Sequence, residues 1–521
     1  MTLLDQPDDE RAGVSPAVPA QARRWAATAA MCLGLFLISV DGTVSSIAIP
    51  DLQRDLRLSI AEVQWVVDAF AVVMAGTVLA AGTLGDRIGR RRTFNAGLLV
   101  CAASAVAGGL AATPAEVILA RAAMGAGAAL VMPATLSIII ALFPEPLPRR
   151  RAITLWAAVA AVGALLGPVL GGWLVDRYSW RSSFWINLPL AAVAAALAAW
   201  PVPESRRSGA APLDRAGAVL STAGLTTLVW AIVEGPGRGW TDPPVLAAFA
   251  GSALLLAAFT AWQAHGRAPM LPLPLLREPR VALGLAAMTL ISLAAMGSFL
   301  LITLHLQNVL GYSPAAAGVR LLPAMAGLLA GAAVALPLMG RMDHGVILVG
   351  IAVTATALAW LTTLTPRTGY GSLAVAQVVL GAGGGMVLTT STDMVMAAFP
   401  GHRAGLGSAL NDVTRQVGLA LGVAVQGSIL ASASARRLGE LLGDVPGGVD
   451  ATAVLAAPRA GPGSPSPETV AAARDAFVTG MTSSALAGAL TLTAVVVLAL
   501  CHALRRRLAG ARRRPGRASN R

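Results

Sequence analysis

The chain has 521 residues, of which 56% are hydrophobic and only 12% are charged. A soluble globular domain carries about 25% charged residues, so this composition excludes an ordinary soluble protein and indicates a chain embedded in lipid. The net charge is +13, and every basic residue is arginine. Because a P-loop needs a lysine to hold the nucleotide phosphates, the missing lysine excludes a Walker-type ATPase.

Apolar runs long enough to cross a bilayer recur along the whole chain. A membrane-spanning helix needs about 20 apolar residues, and about fourteen such runs are present. They form a block of six, an inserted pair and a second block of six. The predicted spans are 25–49, 62–81, 93–112, 115–142, 152–174, 182–200, 216–234, 244–264, 281–307, 314–340, 346–364, 372–398, 405–432 and 477–504.

The arginines predict how these spans are oriented. With a cytoplasmic N-terminus, most arginines fall in cytoplasmic segments, and only Arg121, Arg320 and Arg415 fall inside spans. This positive-inside pattern predicts an even number of spans and a multi-pass protein of the cell membrane with both termini cytoplasmic. The basic excess therefore indicates membrane orientation, and no nucleic-acid partner is expected.

The same spans divide the chain into five predicted segments. Residues 433–475, rich in Gly, Pro and Ala, predict a flexible extracellular loop inside the second bundle. The five segments are a cytoplasmic tail at 1–24, an N-terminal six-helix bundle at 25–200, a linker with the inserted helix pair at 201–280, a C-terminal six-helix bundle at 281–504 and a basic cytoplasmic tail at 505–521.

A glycine- and arginine-rich motif, GTLGDRIGRRR, follows the second span. Glycines permit a tight turn, an aspartate can interact with the positive end of the next helix, and arginines hold the loop in the cytoplasm. The motif resembles the signature loop of the major facilitator superfamily. This resemblance implies a fold of two six-helix repeats, here with two additional helices between them, and a role for the loop in gating. The residues concerned are Gly82, Gly85, Asp86, Arg87, Gly89, Arg90 and Arg91.

A stripe of small residues marks the fifth span. Glycines four residues apart share one helix face and let helices pack closely in lipid, while a proline removes a backbone donor and kinks the helix. The stripe contains Gly163, Gly167, Pro168, Gly171 and Gly172. The pattern resembles the antiporter motif of drug exporters.

Two further segments are similar to the fourteen-span drug–proton antiporter family, SVDGTV at 39–44 in the first span and WRSSFWINLP at 180–189 before the sixth. In the second span, WVVDAF at 65–70 resembles the branch that exports quaternary ammonium compounds. The resemblance implies a small-molecule drug as substrate, the proton gradient as energy source in place of a cofactor, and a monomer in the bilayer.

Charged residues inside spans cost about 2.5–3.5 kcal/mol each on insertion scales, so they are candidate site residues. The candidates are Asp41, Asp68, Arg121, Arg320, Asp393 and Asp412. The first four are predicted to share one layer in the outer half of the membrane. The hypothesis is a coupling cluster in which the two acids are neutralised by arginine or by a proton; the alternative is a static ion pair. Asp393 and Asp412 are predicted to line a cytoplasmic vestibule for cationic drugs, unless Asp412 simply pairs with Arg415.

Three functions remain open on these observations. The first is export of lipophilic, often cationic drugs against proton entry, which confers resistance. A close alternative is a dedicated exporter of a self-made antibiotic or secondary metabolite. Proton-linked nutrient uptake is disfavoured by the stripe in the fifth span. The chain shows no nucleophile–base set and no metal-ligand spacing, so neither an enzyme nor a metal site is expected.

Overall fold

The computed structural model describes residues 21–199, 202–204, 214–266, 269, 273–399, 404–443, 451–457 and 465–512. Across these ranges the chain forms helices joined by short connections, without a strand. Fourteen of the described stretches are long and apolar enough to cross a membrane, which confirms the predicted number of spans and the all-helical class. The predicted tails lie largely outside the described ranges, at 1–20 and 513–521.

The first block makes six spans from seven helices. Its sixth span starts with one short helical turn and continues after Ile186. The helices are α1 (Gln21–Leu56), α2 (Ile60–Ile88), α3 (Arg90–Leu110), α4 (Pro114–Leu142), α5 (Pro146–Arg177), α6 (Ser182–Trp185) and α7 (Asn187–Ala199).

The inserted pair and the second block follow. A π-helical turn at His305–Val309 extends the ninth span, and the tenth span is broken into two helices. The helices are α8 (Arg215–Arg238), α9 (Pro243–His265), α10 (Leu273–Leu276), α11 (Pro279–Leu304), α12 (Pro314–Arg320), α13 (Leu322–Ala335), α14 (Asp343–Leu361), α15 (Tyr370–Ala397), α16 (Ala404–Leu442), α17 (Ala451–Ala456) and α18 (Pro467–Arg512).

Two helices that begin on the same side of the bundle, α2 and α4, have N-terminal capping boxes. Ser59 and Glu62 form a capping box at the start of α2, and Thr113 and Glu116 form another at the start of α4. Pro114 occupies the first turn of α4, where no backbone donor is needed. These two short polar motifs fix the residues at which α2 and α4 begin.

Contacts between the connections that join the spans show that successive spans alternate in direction. The guanidinium of Arg181 donates to Asp55 at 2.9 Å and to the carbonyl of Ala111 at 3.3 Å, which joins three turns at one side. Arg24 pairs with Glu145 at the opposite side. We call the side with Asp55, Ala111 and Arg181 the predicted outer face, and the side with Arg24 and Glu145 the predicted inner face.

The two blocks pack most closely along two seams. At the first seam, α5 packs against α12, where a Cβ on Gly318 would collide with the backbone carbonyl of Pro168. At the second seam, α2 packs against α16, and the Gln64 side chain donates to the carbonyls of Val423 and Ala424 at 3.2 and 2.9 Å. The blocks are thus joined by close backbone contact and by amide hydrogen bonds.

The inserted pair is attached to the second seam. Helix α8 packs on both α2 and α16, whereas α9 packs on α8. The Ser221 hydroxyl of α8 donates to the carbonyl of Gly76 in α2 at 3.3 Å, and the Ser428 hydroxyl of α16 donates to the carbonyl of Ile232 in α8 at 2.7 Å. One inserted helix therefore contacts both blocks.

The prediction of a loop from 433 to 475 is wrong over much of its length. Helix α16 runs on to Leu442, and α18 begins at Pro467, so the connection is far shorter. Within it, α17 packs on α1, where Gln53 donates to the Thr452 hydroxyl at 2.9 Å. The Ala-, Leu- and Arg-rich sequence that follows 433 consists of good helix formers, which outweighed the glycines and prolines further along. Residues 444–450 and 458–464 lie outside the described ranges.

Candidate functional site

A fully buried ion pair links three helices of the first block. Arg121 Nη1 in α4 lies 2.6 Å from Asp41 Oδ2 in α1, and the two residues are 2% and 1% exposed. The Asn187 amide in α7 donates to the second carboxylate oxygen of Asp41 at 2.9 Å. Because both carboxylate oxygens have donors, the charge of Asp41 is compensated where it lies.

Helix α2 completes this network from one of its faces. Arg121 Nε donates to the carbonyl of Val66 at 3.1 Å, and the guanidinium carbon lies 4.7 Å from the centre of the Phe70 ring. Arginine thereby gains a carbonyl acceptor and an aromatic face in addition to its carboxylate. These contacts hold Arg121 in place between α1, α2 and α4.

Asp68 lies apart from this pair. Its side chain is fully buried, and neither carboxylate oxygen has a hydrogen-bonding partner in the described part of the chain. On α2 it shares a face with Gln64 and Val72, four residues to either side, which both contact α16. Asp68 therefore belongs to the seam between the two blocks, on the face of α2 opposite to Arg121.

Arg320 does not join the predicted cluster. Its guanidinium carbon lies 3.9 Å from the centre of the Tyr312 ring and 5.4 Å from that of Tyr370. Its Nη1 donates to the carbonyl of Ala316, and the Tyr370 hydroxyl donates to the carbonyl of Arg320. The prediction placed four charges in one layer from depth alone, but depth does not fix the direction of a side chain around its helix. The structure brings together only Asp41 and Arg121.

The two acids predicted near the cytoplasmic side differ from each other. Asp412 lies 3.5 Å from Arg415 on the same helix, which agrees with the simpler alternative of a local pair. The side chain of Asp393 in α15 is exposed. A role for either in attracting cationic drugs stays a prediction.

The second block buries neutral polar groups that were not among the predicted site residues. Several of their polar atoms have no partner within the described residues, including both amide atoms of Gln377 and Nδ2 of Asn308. The set comprises His305, Gln307, Asn308, Gln377, Thr390 and Ser391, all less than 9% exposed. A signal was available in the sequence, because the run HLQN at 305–308 places three hydrogen-bonding side chains within four residues at the end of an apolar span. Unpaired buried polar groups of this kind are free to bind a polar ligand.

The glycine- and arginine-rich motif is mostly helix. Gly82, Gly85, Asp86 and Arg87 lie in the last turns of α2, and Gly89 alone, with φ of 116°, turns the chain into α3. Arg90 donates to the carbonyl of Ser137 in α4 at 3.0 Å. Arg91 donates to the carbonyls of Val202 and Ala199 at 3.2 and 2.6 Å. The predicted interaction of Asp86 with α3 falls on a side chain outside the described part of the chain.

The glycine stripe of α5 has two faces with different neighbours. Gly163, Gly167 and Gly171 pack on α1, against Ser39, Thr43 and Val44 respectively. Gly172 and Pro168 instead face α12 of the second block, where a Cβ on Gly172 would collide with the carbonyl of Pro314. The stripe is therefore both a packing surface within the first block and half of the α5–α12 seam.

The sequence matches the family model described as Major Facilitator Superfamily over residues 31–423. The chain belongs to this superfamily. The match confirms the resemblance drawn from the signature loop. Among the described residues of this facilitator, no group of three or more His, Cys, Asp or Glu side chains is placed to hold a metal ion.

Known proteins similar to this facilitator include two resistance proteins. The tetracenomycin C resistance and export protein of Streptomyces glaucescens is 33% identical over 84% of this chain and 81% of its own length. The multidrug resistance protein Stp of Mycobacterium tuberculosis is 36% identical over 77% of this chain and 74% of its own length.

The fold has a counterpart among solved structures. A bacterial homologue of the human lysosomal transporter Spinster, crystallised in an inward-facing and unoccupied conformation, superimposes with a TM-score of 0.62. The similarity covers 92% of this chain and 96% of that one at 18% identity, so it bears on the fold alone.

Proposed function

We propose that this facilitator exports drugs or antibiotics across the cytoplasmic membrane in exchange for protons and so confers resistance. Its relatives named for tetracenomycin C export and for multidrug resistance each match more than three quarters of the chain, which supports the export of such compounds. The observation that carries proton coupling is Asp68, a fully buried carboxyl group without a partner in the described part of the chain.

In this proposal the two acids of the first block have different tasks. Asp41 is compensated by Arg121 and Asn187 and keeps α1, α4 and α7 together as a rigid unit. Burying an unpaired carboxylate is costly, so the arrangement accommodates Asp68 as a neutral, protonated group. When the α2–α16 seam opens, Asp68 gains water and can release its proton.

Alternating access couples the release of the Asp68 proton to the transport of the drug. In facilitators the two halves rock about a central site, so the seam that buries Asp68 is a moving part. The electrical part of the proton gradient supplies about 2.3 kcal/mol per charge per 100 mV. One proton released on the cytoplasmic side for each cycle would drive the return of the empty carrier or the expulsion of the drug.

A second candidate function is a dedicated exporter of one uncharged antibiotic. The observation that favours it is the neutral polar set of the second block, in which Gln377 and Asn308 carry amide atoms that have no partner among the described residues. Such groups recognise a ligand by hydrogen bonds and do not select a positive charge. Amides and hydroxyls can bind a polar antibiotic or a drug equally well. The response to a panel of lipophilic cations and neutral antibiotics therefore decides between the two candidate functions.

The deciding experiment measures proton movement in everted membrane vesicles on addition of lipophilic cations and of neutral antibiotics. We expect substrate-dependent proton movement in the wild type and its loss in Asp68→Asn, which keeps the shape of the side chain. Glu62→Gln is the matched control, because it neutralises an exposed acid of the same helix and retains a residue suited to the capping box.

Each outcome has a definite meaning. Equal proton movement in Asp68→Asn and wild type would remove Asp68 from the coupling path. A response to one neutral antibiotic and to no cation would favour the dedicated exporter. Accumulation of a nutrient, in place of drug export, would overturn the proposed function altogether.

The proposal includes a monomer with both termini in the cytoplasm. The cytoplasmic placement of both termini rests on the arginine distribution and on the even number of described spans. The monomer rests only on analogy with the fold. A protease-sensitive tag after residue 521 should be cleaved in everted vesicles and protected in intact cells. The reverse result would invert the predicted outer and inner faces.

A further inference from the structure

A groove of about 400 Å³ lies beside the inserted helix pair, and it has no part in the proposed transport mechanism. It is lined by Ile232 and Trp240 from α8 and the turn after it, by a stripe of α16 and by Ser483 of α18. Helices α8 and α18 both pack on α16 and hardly on each other, so the groove lies between them with α16 as its floor. Its open side therefore faces the surrounding bilayer.

The stripe of α16 gives the groove a direction. It begins at Val425, continues through Ser428, Ile429, Ser432 and Ala433, and ends at Arg436. Eleven helical steps of about 1.5 Å make the stripe about 16 Å long, which is close to half of the roughly 30 Å hydrocarbon core. The groove is thus about as long as the acyl region of one leaflet, with its cationic end near the predicted outer face.

The positive charge at that end has no ion-pair partner among the residues that the structure describes. Arg437, the next residue, is bound to Asp475 at 2.8 Å and to Glu440 at 3.1 Å. Arg436 is exposed and has no hydrogen-bonding or ion-pairing partner anywhere in the described ranges. The Ser432 hydroxyl, one turn deeper in the groove, likewise donates no hydrogen bond to a described residue. One cation and one hydroxyl are therefore available to an anionic group held at the mouth.

We propose that this groove is a binding site for an anionic phospholipid of the outer leaflet, with its phosphate at Arg436 and one acyl chain along α16. Apolar lining with a positive charge at the leaflet surface matches the two ends of such a lipid. The same charge opposes a lipophilic cation. The bound lipid would fill the space between α8, α16 and α18 and hold the inserted helix against the second block.

The site has a consequence for transport because α8 contacts both blocks. Its Ser221 binds the backbone of α2, and its Ile232 carbonyl accepts from Ser428 of α16. A lipid that holds α8 on α16 therefore acts at the α2–α16 seam. We expect the lipid to tune the exchange rate without entering the central site.

The test is lipid retention by the purified full-length protein, measured by native mass spectrometry after delipidation. Dioleoyl phosphatidylglycerol is titrated against dioleoyl phosphatidylcholine, which has the same chains and no net charge. We expect the wild type to retain one phosphatidylglycerol preferentially. Arg436→Gln should lower its apparent affinity about fivefold, because one arginine near a membrane surface contributes about that factor, and should leave phosphatidylcholine unchanged.

Two further variants separate a built site from general attraction. Ser432→Trp fills the groove and should weaken retention of both lipids. Arg367→Gln removes an exposed arginine of the turn between α14 and α15 and should have no effect. Equal retention in Arg436→Gln and Arg367→Gln would overturn the proposal, as would equal affinity for the two lipids in the wild type. Retention of a lipophilic drug in place of the lipid, if it is lost in Ser432→Trp, would make the groove a drug site.

Discussion

The two six-helix blocks have the same number of spans but bury different chemistry. The first block buries a compensated charge pair, Asp41 with Arg121, and an uncompensated carboxyl, Asp68. The described part of the second block has no fully buried acid and instead buries amides, hydroxyls and an imidazole. Its arginine in the tenth span, Arg320, lies between two tyrosine rings. A repeated helical frame therefore does not require repeated polar chemistry.

This difference indicates that the two blocks have different functions in transport. Charged groups respond to protons and to opening of the bundle, whereas neutral amides and hydroxyls respond to the shape and polarity of a bound molecule. The first block is suited to coupling and the second to recognition. Four experiments, ordered from the largest expected effect to the smallest, test the difference between the blocks and the contacts that join them.

The buried pair should be the most sensitive point of the molecule. Asp41→Asn keeps the side-chain shape but leaves Arg121 buried without a counter-charge, which should lower the free energy of unfolding by about 3–5 kcal/mol. Its counterpart in the second block, Arg320→Gln, loses contacts with two rings and should cost about 0.5–2 kcal/mol. Thermal unfolding in detergent compares the two. A similar loss for both would remove the contrast between the blocks.

The seam between α5 and α12 comes next. Gly172→Ala places a Cβ against the backbone of Pro314, and overpacking of this kind costs about 1–3 kcal/mol. Gly42→Ala is the matched control, since a Cβ at Gly42 meets nothing within 4 Å. We expect the export rate to fall in Gly172→Ala and to remain at the wild-type level in Gly42→Ala. Unchanged export in both would show that the seam tolerates a methyl group.

Two glutamines that contact neighbouring helices in the same way separate a contact between blocks from one within a block. Gln64 donates to two carbonyls of α16 across the seam, and Gln426 donates to the carbonyls of Leu293 and Ala294 inside the second block. Replacing either by Met should cost about 0.5–1.5 kcal/mol. Only Gln64→Met should also change the substrate concentration at half-maximal export, because only that bond must break when the seam opens. The same shift in Gln426→Met would contradict this reasoning.

The smallest effect on stability is expected at Gln377. Its amide is fully buried without a partner within the described residues, so Gln377→Leu removes unsatisfied polar atoms and should leave the unfolding midpoint unchanged or slightly raised. If the second block recognises substrates, the same variant should weaken export of hydrogen-bonding drugs more than export of apolar ones. Equal export of both classes would argue against recognition by this residue.

The fold was largely predictable from the sequence, because composition and periodic apolar runs are properties of the chain itself. The number of spans and the superfamily were confirmed, and the Arg415–Asp412 pair followed from a spacing of three residues on one helix. The prediction of a loop at 433–475 was wrong because it gave the Gly and Pro residues further along the segment more weight than the helix-forming residues that follow Ala433. Local composition alone does not mark where a long helix stops.

The site was only partly predictable, since depth along a helix says nothing about the direction in which a side chain points. Asp68 and Arg121 were predicted at the same depth, but Arg121 contacts Val66 and Phe70 of α2 whereas Asp68 shares the face of α2 with Gln64 and Val72. Arg320, predicted at the same depth, contacts tyrosines. The partnership of Asp41 with Arg121 depends on how α1 and α4 are rotated against each other. That rotation is set by tertiary packing, for which a single sequence gives no direct signal.

The seam between α5 and α12 also bears on the energy supply of the cell. It is closed by peptide groups and glycines, which carry no group that titrates and leave little room for water between them. A continuous file of water through the resting transporter would let protons leak across and dissipate the membrane potential, however well the drug site works. Since these backbone groups do not titrate, the contact between α5 and α12 does not depend on pH. An exporter sealed in this way can be made in large amounts without draining the voltage on which the rest of the membrane depends.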